Sequence, residues 1–186
     1  MKMRTTISLF FGVLLLLFVS SAMARNGLNP DAPPETGQFS FIIGTWHCKT
    51  RFMTPDGTIS EGEATWIGQW ALDGWAIKDD WFSTGPDGKP FQGFNIRSFN
   101  PKTRKWDNRW LPQVTLQWRY YESEMVGDTM VMTGGAGKDA NGAFTDRITF
   151  YNISENSWSW RKDRSYDGGK TWNEGVGFIE ATRVEP

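Results

Sequence analysis

The chain predicts an all-β fold, a single antiparallel β-barrel of about eight to ten strands. Three observations carry this. About ten short runs of alternating apolar and polar residues follow one another from residue 41 to residue 183. Turn signals separate them, among them Pro55-Asp56-Gly57, Pro86-Asp87-Gly88, Asn100-Pro101, Asn141-Gly142 and Asp167-Gly168-Gly169. No long segment repeats apolar residues at the i, i+3, i+4, i+7 spacing of a helix, so the period is that of strands.

The elements follow in order. Residues 1–24 read as a secretory signal peptide. Lys2 and Arg4 give a basic start, Leu9 to Val19 an apolar run, and Ala22-Met23-Ala24 a small-x-small cleavage site. The apolar run falls short of the roughly 20 residues a spanning helix needs, so the expected address is secreted or periplasmic, with no stable membrane span after cleavage. Residues 25–39 hold three Pro and no periodicity. They predict an exposed leader, or a short turn of helix closing one end of the barrel. The barrel domain then occupies residues 40–186.

Strands are expected at 41–53, 60–71, 74–83, 91–99, 105–111, 115–123, 129–134, 143–152, 156–164 and 172–183. Alternation assigns faces within them. Trp46 and Cys48 share one side of the first run, opposite His47. Trp66 and Trp70 share a face opposite Glu61 and Glu63. Trp75, Ile77, Asp79 and Trp81 fall together, as do Trp106, Asn108 and Trp110, then Leu116, Trp118 and Tyr120, and then Trp158 and Trp160. An open sheet of this length would leave two edges and a Trp-rich face exposed. Closure removes the edges and buries that face, and eight to ten strands enclose side chains plus one small ligand.

Composition excludes several functions. With the leader removed, Lys2 and Arg4 are lost, and 18 of the 20 basic residues face 21 acidic ones, a formal charge of −3. There is no basic block for a nucleic-acid partner. Cys48 is the only cysteine and His47 the only histidine. Neighbours on a strand point to opposite faces, so they cannot form a nucleophile–base pair, and a triad or a zinc site lacks its ligands. Cys48 reads as a small buried hydrophobe. Haem ligation would fall to His47, on the face opposite Trp46, and no cofactor is expected. Oligomeric state is left open.

Gly44-Thr45-Trp46 resembles the Gly-x-Trp signature of lipocalins and their calycin relatives. The resemblance implies a Trp plugging one end of the barrel with an Arg from the last strand, here Arg183, packed across it. Trp66-Ile67-Gly68, Phe91-Gln92-Gly93-Phe94, the run from Phe99 to Trp106 and the run from Ser165 to Trp172 are similar to motifs of a bacterial lipocalin-like family of unknown function. The likeness covers residues 40–184. It implies a lipocalin-like β-barrel and no catalytic residues. Ser165 to Trp172 also matches a single Asp-box, which predicts a capped hairpin turn.

The expected function is binding of a small hydrophobic or amphiphilic molecule inside an aromatic-lined barrel. Trp66, Trp70, Trp81, Trp106, Trp110, Trp118 and Trp160 are the candidate lining residues, although not all can point inward. Arg119, or else Arg109, is the candidate polar anchor. The alternative is a barrel enzyme of isomerase, cyclase or hydratase type, with Asp79 or Asp146 as acid–base. Arg97, Arg109, Arg119, Arg147 and Arg161 are the arginines expected to pair such a buried carboxylate. A third possibility is a barrel packed solid, with a structural or protein-interaction role.

Overall fold

The computed structural model of the protein describes residues 26–54, 56–85 and 87–184. The expected signal peptide lies outside the described residues. Ten strands form one closed antiparallel barrel. They are β1 (Gly44–Met53), β2 (Ile59–Ala71), β3 (Ala76–Thr84), β4 (Pro90–Asn100), β5 (Lys105–Pro112), β6 (Arg119–Val126), β7 (Thr129–Asp139), β8 (Gly142–Tyr151), β9 (Ser157–Ser165) and β10 (Asn173–Arg183). Each strand pairs with its sequence neighbours, and β1 pairs with β10 to close the ring. Among the described residues no helix is long and apolar enough to cross a membrane.

The expected alternation sets the faces. Trp46 lies opposite Trp66 on one side and Arg183 on the other. Trp66 lies opposite Trp81, and Phe150 opposite Trp160. A bulge between Gly134 and Gly137 bends β7, where an extra residue increases local twist and helps a sheet close. The sixth strand begins at Arg119, later than the expected residue 115.

One end of the barrel is plugged. A 3-10 helix, Pro34–Ile42, lies across it, and its Phe39 and Ile42 are fully buried. Of the expected leader, the part from Pro34 onward is the short turn of helix that closes one end of the barrel, not an exposed segment. Phe39 packs edge-on to Trp106 at 4.9 Å and to Phe150 at 5.9 Å, which removes its ring from water. Arg183 seals the same end. Its guanidinium lies 4.2 Å from the Trp46 ring centroid and donates to the carbonyls of Ile43 and Glu155. The Trp46 indole N–H donates to the carbonyl of Ile42. Gly44 makes this close approach possible, since its φ of 117° and the Arg183 guanidinium leave no place for a Cβ.

Candidate functional site

The interior has two halves. Near the plugged end Trp46, Trp106, Trp158, Phe39 and Phe150 are fully buried and in mutual contact. At their level sits a buried polar chain. The Arg97 Nε donates to Asp79 Oδ2 at 2.6 Å, and Asn95 donates to Asp79 Oδ1 at 2.6 Å. Arg97 Nη1 donates to Asn108 Oδ1 at 3.2 Å, and Asn108 passes a hydrogen bond to Ser123 Oγ at 2.7 Å. The Arg97 guanidinium also faces the rings of Phe39, Trp66 and Phe150 at 4.8, 5.8 and 5.9 Å. A buried charge is tolerated when it is paired and its remaining donors are satisfied, and both conditions hold here.

Above this layer the barrel opens into a cavity of about 960 Å³, within the size range of small-molecule sites. Trp66, Trp81, Phe91 and Trp110 line one wall, with Phe52, Phe150 and Trp160 beside them. The space exists because several inward positions carry small residues, including Thr50, Ser60, Gly62 and Ser83. Gly93 does more than leave space, since the Trp110 ring lies against it where a side chain would collide. In the ring of ten strands, β8 and β9 stand opposite β3 and β4; their inward residues are apolar near the floor, at Ile148, Phe150 and Trp160, and polar above it. The polar part presents Asp146 and Lys162, with Arg119 and Tyr121 from β6.

Asp146 is held by Arg164, whose Nε donates to Oδ1 at 2.8 Å and whose Nη2 donates to Oδ2 at 3.2 Å. Arg164 also reaches Asp139 at 3.0 Å and stacks 3.5 Å from the Phe144 ring centroid. Burial pushes the Lys162 ammonium down to about 8, with Arg164 and Arg119 pressing the same way and Asp146 opposing. Burial pushes the Tyr121 hydroxyl up to about 12, reinforced by Asp146 and opposed by Arg119. Lys162 lines the cavity and is half-buried.

The structure brings Trp66, Trp81, Trp110, Trp160 and Arg119 together around this cavity. Trp70 faces inward but packs at the plugged end opposite Ile77. Trp106 is buried in the floor, its indole N–H on Gln38. Trp118 is corrected outright: residues 113–118 form a loop, and its ring lies outside the barrel, edge-on to Phe94 at 5.5 Å. Arg109 is also outside, exposed and paired with Asp107. Arg97 pairs Asp79 as one of the expected arginines, whereas Asp146 takes Arg164, which was not among them. Arg147 and Arg161 instead hold Asp163 on the outer face. Trp75 is exposed beyond the start of β3.

Lys162, Tyr121 and Phe91 are cavity residues that sequence reasoning missed. Lys162 sits two residues beyond Trp160 and four beyond Trp158, in phase with both, and that spacing was a readable signal. His47 points outward, 3.4 Å from Glu63. Cys48 is buried, and burial pushes its thiol up to about 12. Among the described residues no His, Cys, Asp and Glu group is arranged to hold a metal ion.

No protein-family model matches the chain, and no curated protein does. Among solved structures, the chain is similar to the crystal structure of Rv2717c from M. tuberculosis. Their identity is 12% and the TM-score 0.56, and the match covers 83% of this chain and 100% of that one. At that identity the likeness is one of fold, a related β-barrel.

Proposed function

We propose that this is an exported, lipocalin-like binding protein that carries a small hydrophobic or amphiphilic molecule inside the open half of its barrel, in the periplasm or outside the cell. One observation carries the reading: a cavity of about 960 Å³ walled by Trp66, Trp81, Trp110 and Trp160. Indole faces in a preformed cavity give a large apolar contact with little ordering of the protein. The Gly44, Trp46 and Arg183 arrangement supports the lipocalin-like assignment, since it reproduces the contact that the resemblance implies.

The barrel-enzyme alternative would have to use Asp79 or Asp146. Both carboxylates are paired with an arginine, Asp79 with Arg97 beneath the cavity and Asp146 with Arg164 beside it. Binding is the reading the geometry favours.

The test is native mass spectrometry of the mature protein from its own host, with organic extraction of what it carries, beside tryptophan fluorescence during titration with dodecanol. A stoichiometric apolar adduct, or saturable quenching lost in a Trp110→Ala and Trp81→Ala double variant, is the expected result. A clean mass together with no fluorescence response to dodecanol would overturn the reading.

A further inference from the structure

The charges of the barrel interior, from the buried Arg97 layer up to the mouth, do not cancel. Arg97, Arg119, Lys162 and Arg164 stand against Asp79, Asp139 and Asp146. Asp79 is taken by Arg97, and Asp146 and Asp139 are both taken by Arg164. Arg119 and Lys162 remain. Among the described residues neither has a carboxylate within ion-pair distance. Glu61 and Glu63 touch the cavity only from solvent-exposed positions on the outer side of β2. Both free cations line the cavity. Each is packed against rings rather than anions. Lys162 Nζ is 5.5 Å from the Phe52 centroid and 5.9 Å from that of Trp160, and the Arg119 guanidinium is 5.7 Å from that of Phe144. Asp146, the carboxylate nearest in influence to Lys162, is already held by Arg164, so neither cation has an ion-pair partner of its own, and partial burial makes that costly.

We propose that Arg119 and Lys162 form the receptor for a single anionic head group, so that the barrel takes monoanionic amphiphiles of the long-chain carboxylate class. The proposal rests on the binding function above and names its ligand class. The residual charge of the interior is +1, counting four cations against three carboxylates, and one carboxylate neutralises it. The head group lies between β6 and β9. The apolar tail crosses to the opposite wall, where Trp66, Trp81, Phe91 and Trp110 supply ring faces. Arg119 presents a planar fork suited to two carboxylate oxygens, and Lys162 a point charge beside it. The groups facing Lys162 from its surroundings are Asp146 on β8, Arg164 on its own strand and Arg119 and Tyr121 on β6. Its burial-depressed ammonium, about 8 in the free protein, rises when an anion arrives. Binding is then accompanied by proton uptake near that pH, and affinity falls as pH climbs past it.

The experiment compares three probes with one tail: dodecanoate, dodecanol and dodecyltrimethylammonium, each titrated by tryptophan fluorescence and calorimetry. Dodecanoate binds about tenfold or more tighter than dodecanol, as one charge-assisted contact implies, and the quaternary amine binds weakest. Arg119→Met and Lys162→Met each remove about tenfold from dodecanoate and leave dodecanol within about twofold. Between about pH 7 and about pH 9.5 dodecanoate weakens in the wild type and not in Lys162→Met. Circular dichroism on both variants confirms the fold, and loss of an unpaired interior cation leaves melting unchanged or higher. If dodecanol binds as tightly as dodecanoate, or if the variants lose both probes equally, the head-group receptor is overturned while the apolar cavity stands. If none of the three probes binds, the binding function itself fails.

Discussion

The lower and upper halves of the barrel are made of the same ten strands and draw on the same aromatic vocabulary. Near the plugged end, Trp46, Trp106, Trp158 and Phe150 meet, and Phe39 enters from the 3-10 helix to fill the remaining space. Toward the mouth, Trp66, Trp81, Trp110 and Trp160 point inward as well, yet they surround a cavity. What separates the halves is the residues between the rings. Below, large side chains and the buried Arg97 chain alternate with the tryptophans. Above, Thr50, Ser60, Gly62 and Ser83 do. No helix covers the mouth among the described residues. An aromatic stripe is therefore a stability device or a binding surface according to its neighbours, which is why the ring count alone does not locate a site.

The comparison can be broken most sharply at Arg97. Asp79→Ala leaves that guanidinium buried without its anion, at a cost of about 3–5 kcal/mol, read from urea unfolding. A double change of Asp79 and Arg97 to Leu and Met should recover most of it. If the single variant lost almost nothing, water would have to reach the lower half, and its solidity would be refuted.

Next in size is the contrast between tryptophans. Trp158→Ala opens a void that its neighbours cannot fill and costs about 3–5 kcal/mol. Trp81→Ala only widens an existing cavity and loses the transfer term, about 2 kcal/mol. Equal losses would mean that both halves are packed alike. Arg183→Met follows, removing the cation over Trp46 for about 1–2 kcal/mol. It should lower the melting temperature without changing probe affinity, because it acts at the plugged end.

Two effects appear as pH dependence. The Lys162 ammonium is depressed in the folded protein to about 8 from an ordinary 10.5. The unfolded chain binds more protons between those values, so stability rises as pH climbs from about 8 to about 10.5. Lys162→Met should be more stable than the wild type at neutral pH and lose that rise. The smallest effect belongs to the exposed hairpin outside both halves. Asp167 caps the amides of Lys170 and Thr171 and bonds the Thr171 hydroxyl, which hold its carboxyl down at about 2. Its contribution is present above the ordinary value of 3.8 and is lost as pH falls toward 2. Asp167→Asn should differ from the wild type in slope only below about pH 4.

Much of the fold was legible along the chain. Period-2 alternation named ten strands and their faces, because neighbouring side chains on a strand are forced to opposite sides. The Gly44, Trp46 and Arg183 contact could be expected from the resemblance and forms as implied. The site was legible only in part. Trp66, Trp81, Trp110 and Arg119 were expected and line the cavity. Trp118 was misplaced because it shares its side with the exposed Tyr120, while its neighbour Arg119 and then Tyr121 take the inward side. Arg164 went unseen as the partner of Asp146, since that pairing depends on the β8–β9 register across 18 residues.

The sequence by itself determined that the chain is an antiparallel barrel with tryptophans inside, since local alternation and turn chemistry act over a few residues and need no partner. Only the tertiary structure decided that one half is filled and the other hollow, that Phe39 turns inward as a plug, and that Arg119 and Lys162 face the cavity while Asp146 beside them is held by Arg164. Those outcomes depend on which residues of distant strands arrive at the same height, and that is set by strand register, bulges and ring closure rather than by any stretch of sequence.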